Sequence, residues 1–456
     1  MHQSRTRSVR NRATLVGSLF VAMIVVAAAL TGTASGRTAG KTISVAIVKN
    51  PQMTDIASLT PSLFTKVSGI NVKYTILDEG KLRQITTRDV GSGGKAFDVV
   101  MIGMYETPQF GTAGLLQNLT PMAKADSAYK FNDVLPAVRN GLSANGKLYA
   151  SPFYAESSFL MYRKDVLAAA GVTMPAHPTW DQVAAIARKV NTPNMAGICL
   201  RGKPGWGDLG ASFTTVLNTF GGTWWSSTPT GKPAAAQVDQ PAFKTALDFY
   251  SGLVHDAGEK DAGNSSFNEC LAQYQAGKVA MWYDATVAAG LLEAKDSPVK
   301  GKNGYALAPV EKTKASGWLW SWALAIPKSS PDPADAWKYI SWATGPGYIK
   351  AAGTNTKGGW AAIPPGTRAS TYQIPQYKQA AAAFAAKTLA AMNAAPINNP
   401  GTTKRPGLPG VQYVGIPQFQ DVGNQCTQLF SSVISGSTSA ADALSQCQQI
   451  AAAAIK

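Results

Sequence analysis

The sequence predicts an α/β protein of two lobes, each a mostly parallel sheet flanked by helices, with the chain crossing between them more than once. Three observations carry that expectation. Short β-branched runs alternate with helical stretches, the order that builds right-handed crossovers in a parallel sheet. The alternation restarts near Tyr149, so the elements fall into two sets. About 420 residues follow an export leader, more than one ordinary core supports.

The leader comes first. Arg5, Arg7, Arg10 and Arg12 stand without an acid among them, an apolar stretch runs over residues 15–30, and small residues follow over 31–36. That is a secretory signal peptide, residues 1–34, cleaved after Ala34 with Gly32 at the −3 position. The apolar stretch is shorter than the roughly 20 residues a spanning helix needs. No Arg-Arg pair is present, which fits unfolded export, and no cysteine lies near the cleavage zone to take a lipid.

Beyond the leader, residues 43–48 read as a strand and 54–67 as a helix stopped by Gly69. Strand 71–77, helix 81–90 and strand 97–102 continue the set. Ligands of open α/β sheets sit beyond the carboxyl ends of the strands, here Lys49-Asn50, Asp78-Glu79 and residues 103–106. The second set holds strands at 159–162, 197–200, 278–283, 305–310 and 319–326. Its helices are expected at 180–190 (N-capped by Thr179), 211–220, 241–255, 267–276 and 285–293. Later helices fall at 333–344, 379–393, 417–434 and 439–450, with Pro-Gly-rich loops at 228–233 and 398–410.

Composition excludes several functions. The chain has 42 Lys and Arg against 26 Asp and Glu, but the cations are scattered without a run of four, which argues against a nucleic-acid partner. Of three histidines, one lies in the leader, and no Cys-x-x-Cys occurs, so no metal is expected. The four cysteines, Cys199, Cys270, Cys426 and Cys447, suit disulfides in an oxidising compartment. They allow three pairings. Cys426 with Cys447 is the local one, on two adjacent helices, leaving Cys199 with Cys270.

No nucleophile elbow, phosphate loop or zinc-protease motif appears, and His177 and His255 read as structural. No catalytic residue is expected. Acids do recur at strand ends, namely Glu79, Glu106, Glu156 and Asp284. Paired carboxylates serve a glycosidase, which is the alternative reading. They serve equally to accept hydrogen bonds from a polyol. Eleven tryptophans favour the second use, because flat aromatic faces suit the C–H patches of sugars. Trp206 and Trp360 fall in loops, Trp282 in a strand beside Asp284, and Trp318, Trp320 and Trp322 alternate along another strand. Trp224, Trp225, Trp337 and Trp342 read as packing.

Several segments carry a family likeness. SPFYAESSFLMYRKD at 151–165, GICLRGKPGWGD at 197–208, KVAMWYDAT at 278–286, GWLWSWALAIP at 317–327 and PGTRAS at 365–370 resemble family 1 extracellular solute-binding proteins of ABC importers. Within that family they are most similar to the sugar-alcohol (sorbitol/mannitol-type) receptors. The resemblance implies a two-lobed periplasmic binding fold that closes on its ligand by a hinge. It implies an N-terminal lobe of residues 41–153 and 318–364 and a C-terminal lobe of 154–317 and 365–456. Glu79 and Tyr105 would face the cleft from the first lobe, and Tyr154 and Glu156 would lie at the first crossing. Arg201, Lys203, Trp206, Trp282 and Asp284 would come from the second lobe, with Trp318, Trp320 and Trp360 near the later crossings. The expected function is capture of a sugar alcohol or small sugar by a periplasmic monomer and delivery to membrane permease subunits, without a cofactor. Two substitutions follow as expectations: Arg201→Ala weakens binding with stability nearly intact, and Trp282→Ala weakens binding by loss of stacking.

Overall fold

The computed structural model describes residues 41–456, so the expected leader lies outside the described residues. Strand Thr42–Val48 is fully buried over its last four positions and lies between Asn71–Leu77 and Val99–Ile102, parallel to both. Both faces of such a strand are covered, which is why its sequence is an apolar run rather than an alternation. Strand Trp320–Ala325 then enters from far along the chain. It runs antiparallel between Val99–Ile102 and Ala150–Glu156 and completes a sheet of five strands.

The chain leaves this sheet at Ser157 and enters a second one as strand Ser158–Arg163. That strand pairs antiparallel with Met281–Ala285 on one side and Asn303–Leu307 on the other. Alternating strands and helices predict a mostly parallel sheet here, and this three-stranded core differs. Its central strand arrives directly from the first sheet without a crossover helix, so its direction is set by the crossing. Parallel pairing survives at the edge, where Ala196 bridges Val279 and Cys199 bridges Trp282. The strand expected at 197–200 is reduced to those bridges. Two sheets, each wrapped by helices, form the two lobes.

Local sequence explains the helices. Thr179 caps helix Trp180–Val190 through a capping box with Gln182. That helix buries Trp180, Val183, Ala184, Ala187 and Val190, the three-and-four spacing of one face. The helix expected at 379–393 is split into Pro375–Ala380 and Ala385–Asn393. An unexpected helix, Pro346–Asn355, starts directly after Gly345 closes Pro333–Thr344. There the Gly-Pro pair ends one helix and opens the next.

Disulfides join Cys199 to Cys270 and Cys426 to Cys447. The second ties helix Phe419–Ile434 to Ala440–Ala453, and that pair packs on helices Leu209–Thr219 and Pro241–Ala257 of the second lobe. Among the described residues, no helix is long and apolar enough to cross a membrane.

Candidate ligand-binding site

A period of two sets the first wall. Tyr154 and Glu156 lie two apart on the last strand of the first sheet, and Trp320 and Trp322 lie two apart on its neighbour. The register places Trp320 opposite Glu156 and Trp322 opposite Tyr154. Two acceptor-bearing side chains and two indoles therefore share one face at the junction of the lobes.

Helix Glu79–Gly91 brings the next group. Glu79 and Arg83 are one turn apart, and the Arg83 Nη2 lies 2.7 Å from Glu79 Oε1. Arg83 also pairs with buried Glu106, whose other oxygen accepts the Gly103 N–H at 3.0 Å. Burial opposes the Arg83 charge, but Glu106 and Glu79 outweigh it and raise its pKa further. The guanidinium lies 4.1 Å from the ring centre of Trp206, 4.5 Å from Trp322 and 5.0 Å from Trp320. One cation thus fixes three indoles from two lobes.

The second lobe supplies Arg201 and Trp206. Arg201 forms a two-pronged pair with Asp284, Nη2 to Oδ1 at 2.6 Å and Nε to Oδ2 at 2.8 Å. Its remaining nitrogen donates to the Gly207 carbonyl at 2.9 Å. Asn50, at the end of the first strand, donates to the Tyr154 hydroxyl at 2.9 Å.

Together these residues line a narrow cleft of about 30 Å³: Asn50, Glu79, Arg83, Tyr154, Glu156, Arg201, Trp206, Gly207, Ala211, Phe267, Ala285, Trp318, Trp320, Trp322 and Gln412. Four polar atoms on these walls are buried without a protein partner: Glu156 Oε2, Trp206 Nε1, Trp318 Nε1 and Gln412 Oε1. Two donate, and two can accept. The lobes meet around the cleft, where Asn268 donates to the Lys49 carbonyl at 2.8 Å and Thr87 contacts Gln420 at 3.4 Å.

Of the residues singled out in the sequence, Glu79, Tyr154, Glu156, Arg201, Trp206, Trp318 and Trp320 line this cleft. The others stand elsewhere. Asp284 is fully buried behind Arg201 and orients it. Trp282 is fully buried against Phe267 and Tyr274, and its indole N–H donates to Asp284 at 3.2 Å. Tyr105 packs on Trp206 at 4.7 Å and bonds to the Ile416 carbonyl at 2.9 Å. Lys203 is held through its backbone, which donates to Ser265 O. Trp360 lines a separate surface groove with Lys130 and Lys350.

Asn50, Arg83, Phe267, Trp322 and Gln412 join the walls without having been singled out as ligand contacts. Arg83 had a readable signal in its position one turn after Glu79, and Trp322 in its alternation with Trp320. Gln412 had none.

Three acids are held partly or wholly in their neutral forms. Burial puts Glu156 well above the usual carboxylate range, against the pull of Arg201. Burial and the neighbouring Glu79 push Asp208 up to about 7, and burial pushes Glu259 up to about 7. Unfolded carboxyls release their protons near pH 4. Between about pH 4 and 7 the folded chain therefore holds protons that the unfolded chain has lost, so stability falls as pH rises. The urea midpoint should drop from pH 5 to pH 8, and Asp208→Asn should flatten that slope. A midpoint that is constant or rises over this interval contradicts the assignment.

Comparison with known proteins places this geometry. Residues 39–350 match the family model described as "Bacterial extracellular solute-binding protein". A mannitol-binding protein of Pseudomonas aeruginosa is 40% identical over 425 residues, 91% of this chain and 93% of that one. A crystal structure of an ABC transporter solute-binding protein from Agrobacterium vitis S4, with bound D-mannitol, superposes with a TM-score of 0.85 at 43% identity, covering 90% of this chain and 97% of that one. The fold is also that of a solute-binding protein from Agrobacterium radiobacter K84, at a TM-score of 0.77 and 24% identity over 91% of this chain and 98% of that one. With one cleft shared by two sheets and a match over most of its length, the chain belongs to the bacterial extracellular solute-binding proteins of ABC transporters.

Proposed function

We propose that the chain captures a single acyclic sugar alcohol, with D-mannitol the first candidate, and hands it to the permease subunits of an ABC importer. The four unpartnered polar atoms of the cleft carry this reading. Two indole N–H donors and two acceptors share the cleft with indole rings, which suits a molecule whose every carbon bears a hydroxyl and a C–H. The two mannitol-associated relatives, at 40% and 43% identity, support the same ligand class. In this reading the protein acts as a receptor and not as an enzyme. It works as a periplasmic monomer of two lobes, with the boundary expected after residue 153 falling instead after Glu156, the last residue of strand Ala150–Glu156 in the first sheet.

Binding to the folded state alone stabilises it by about 2.7 kcal/mol at a ligand concentration one hundred times Kd. D-mannitol and D-sorbitol should raise the melting temperature in a concentration-dependent way and be recovered unchanged by chromatography. A panel of polyols that leaves melting untouched contradicts the reading, and hydrolysis of a glycoside by the protein would return the hydrolase alternative.

A further inference from the structure

The Pro-Gly-rich residues 394–418 link helix Ala385–Asn393 to Phe419–Ile434 and lie beyond residue 350, where the family match ends. They form a strap with its own internal order. The Leu408 N–H donates to the Gly415 carbonyl at 2.8 Å, and Gly407 takes a φ of 85° with a Cβ position 2.4 Å from that same carbonyl oxygen, so a side chain is excluded there. Half-buried Arg405 reaches Asn218 Oδ1 at 3.2 Å and the Val411 carbonyl at 3.3 Å, and Asn218 Nδ2 donates to that carbonyl at 2.7 Å. Asn218 sits on helix Leu209–Thr219 of the second lobe. The strap is thus pinned to that lobe at the residue before Gln412.

The other end is tied to the first lobe. The Tyr105 hydroxyl donates to the Ile416 carbonyl at 2.9 Å and accepts from the Gln420 N–H at 3.1 Å. Between the two anchors, Tyr413 packs edge-on against Trp320 at 6.0 Å, and Gln412 enters the cleft. The Gln412 Nε2 is directed to the Leu319 carbonyl at 3.5 Å, which leaves Oε1 on the wall, buried and unpartnered. Gln412 itself is 4% exposed. A buried acceptor of this kind discriminates strongly, because a ligand without a matching hydroxyl leaves it unsatisfied.

We propose that Gln412 is a ligand contact that accepts a polyol hydroxyl, and that the strap carrying it gauges ligand length, admitting one acyclic polyol and excluding a disaccharide. The inference rests on the receptor reading and adds the residue that sets its size limit. Gln412→Met keeps the side chain's length and removes the acceptor. Calorimetric titration of this variant should show D-mannitol binding weakened about tenfold or more, with the unliganded melting temperature within a degree or two of wild type. Wild type should give no measurable heat with maltose. Gln412→Ala, which opens room, should lose mannitol affinity as well. Wild-type affinity for D-mannitol in both variants overturns the contact. Maltose binding by wild type as tight as mannitol overturns the gauge. Absence of binding to any polyol by wild type overturns the receptor reading and this inference with it, an outcome distinct from the other two.

Discussion

Replacing Arg201 with alanine is expected to cost about 3–5 kcal/mol of folding stability, in addition to weakening ligand binding. The sequence led to the opposite expectation for stability. Geometry reverses it: the Arg201 and Asp284 side chains are 7% and 0% exposed, and the pair is two-pronged. Removing the cation leaves a carboxylate with no access to water. The Trp282 N–H and the Ala285 N–H, at 3.2 Å and 2.6 Å, would still bond to Asp284, but neither carries a charge. Burial opposes the Arg201 charge, and Asp284 more than compensates, so the guanidinium stays protonated at any working pH. Urea denaturation gives the cost directly. The double variant Arg201→Ala with Asp284→Ala should lose less than the sum of the single losses, because the two groups form one unit. A single-variant loss below about 1 kcal/mol would instead place the pair among water-screened surface ion pairs.

What the sequence disclosed, and what it hid, follows from the range of the interactions involved. The Thr179 cap and the Gly69 stop are local, and both appear as read, Gly69 with a φ of 73°. The alternation of Trp318, Trp320 and Trp322 is equally local and placed three indoles on one wall. Disulfide pairing followed from adjacency for Cys426 and Cys447 and from remainder for Cys199 and Cys270. Strand Met281–Ala285 shows where such reasoning stops. All five of its residues are buried, so no polar alternation marks the face that meets the cleft, and Trp282 turned toward Phe267 and Tyr274. Trp360 packs on helix Pro346–Asn355 across Gly353, and that helix was itself unexpected. Gln412 reaches the cleft through a loop some 90 residues after Trp322, and nothing in its neighbours signals that approach.

The Arg83→Met variant is expected to lose both stability and ligand affinity. Arg83 is 6% exposed, between Glu106 at 3% and Glu79 at 16%. It is the shared counter-charge of two carboxylates, and its loss should cost about 3–5 kcal/mol at neutral pH. Its second role is geometric. The guanidinium lies within 5.0 Å of the ring centres of Trp206, Trp320 and Trp322, so the apolar methionine removes the cation those rings stack upon. Each such contact is worth about 0.5–2 kcal/mol, and disordering the indoles should weaken D-mannitol binding about tenfold or more. Arg83→Lys separates the two roles, since an ammonium restores charge but not the planar fork that meets both carboxylates and lies flat against indoles. It should recover much of the stability and little of the affinity. Full recovery of both by lysine would mean that a point charge suffices and that the fork does not organise the cleft.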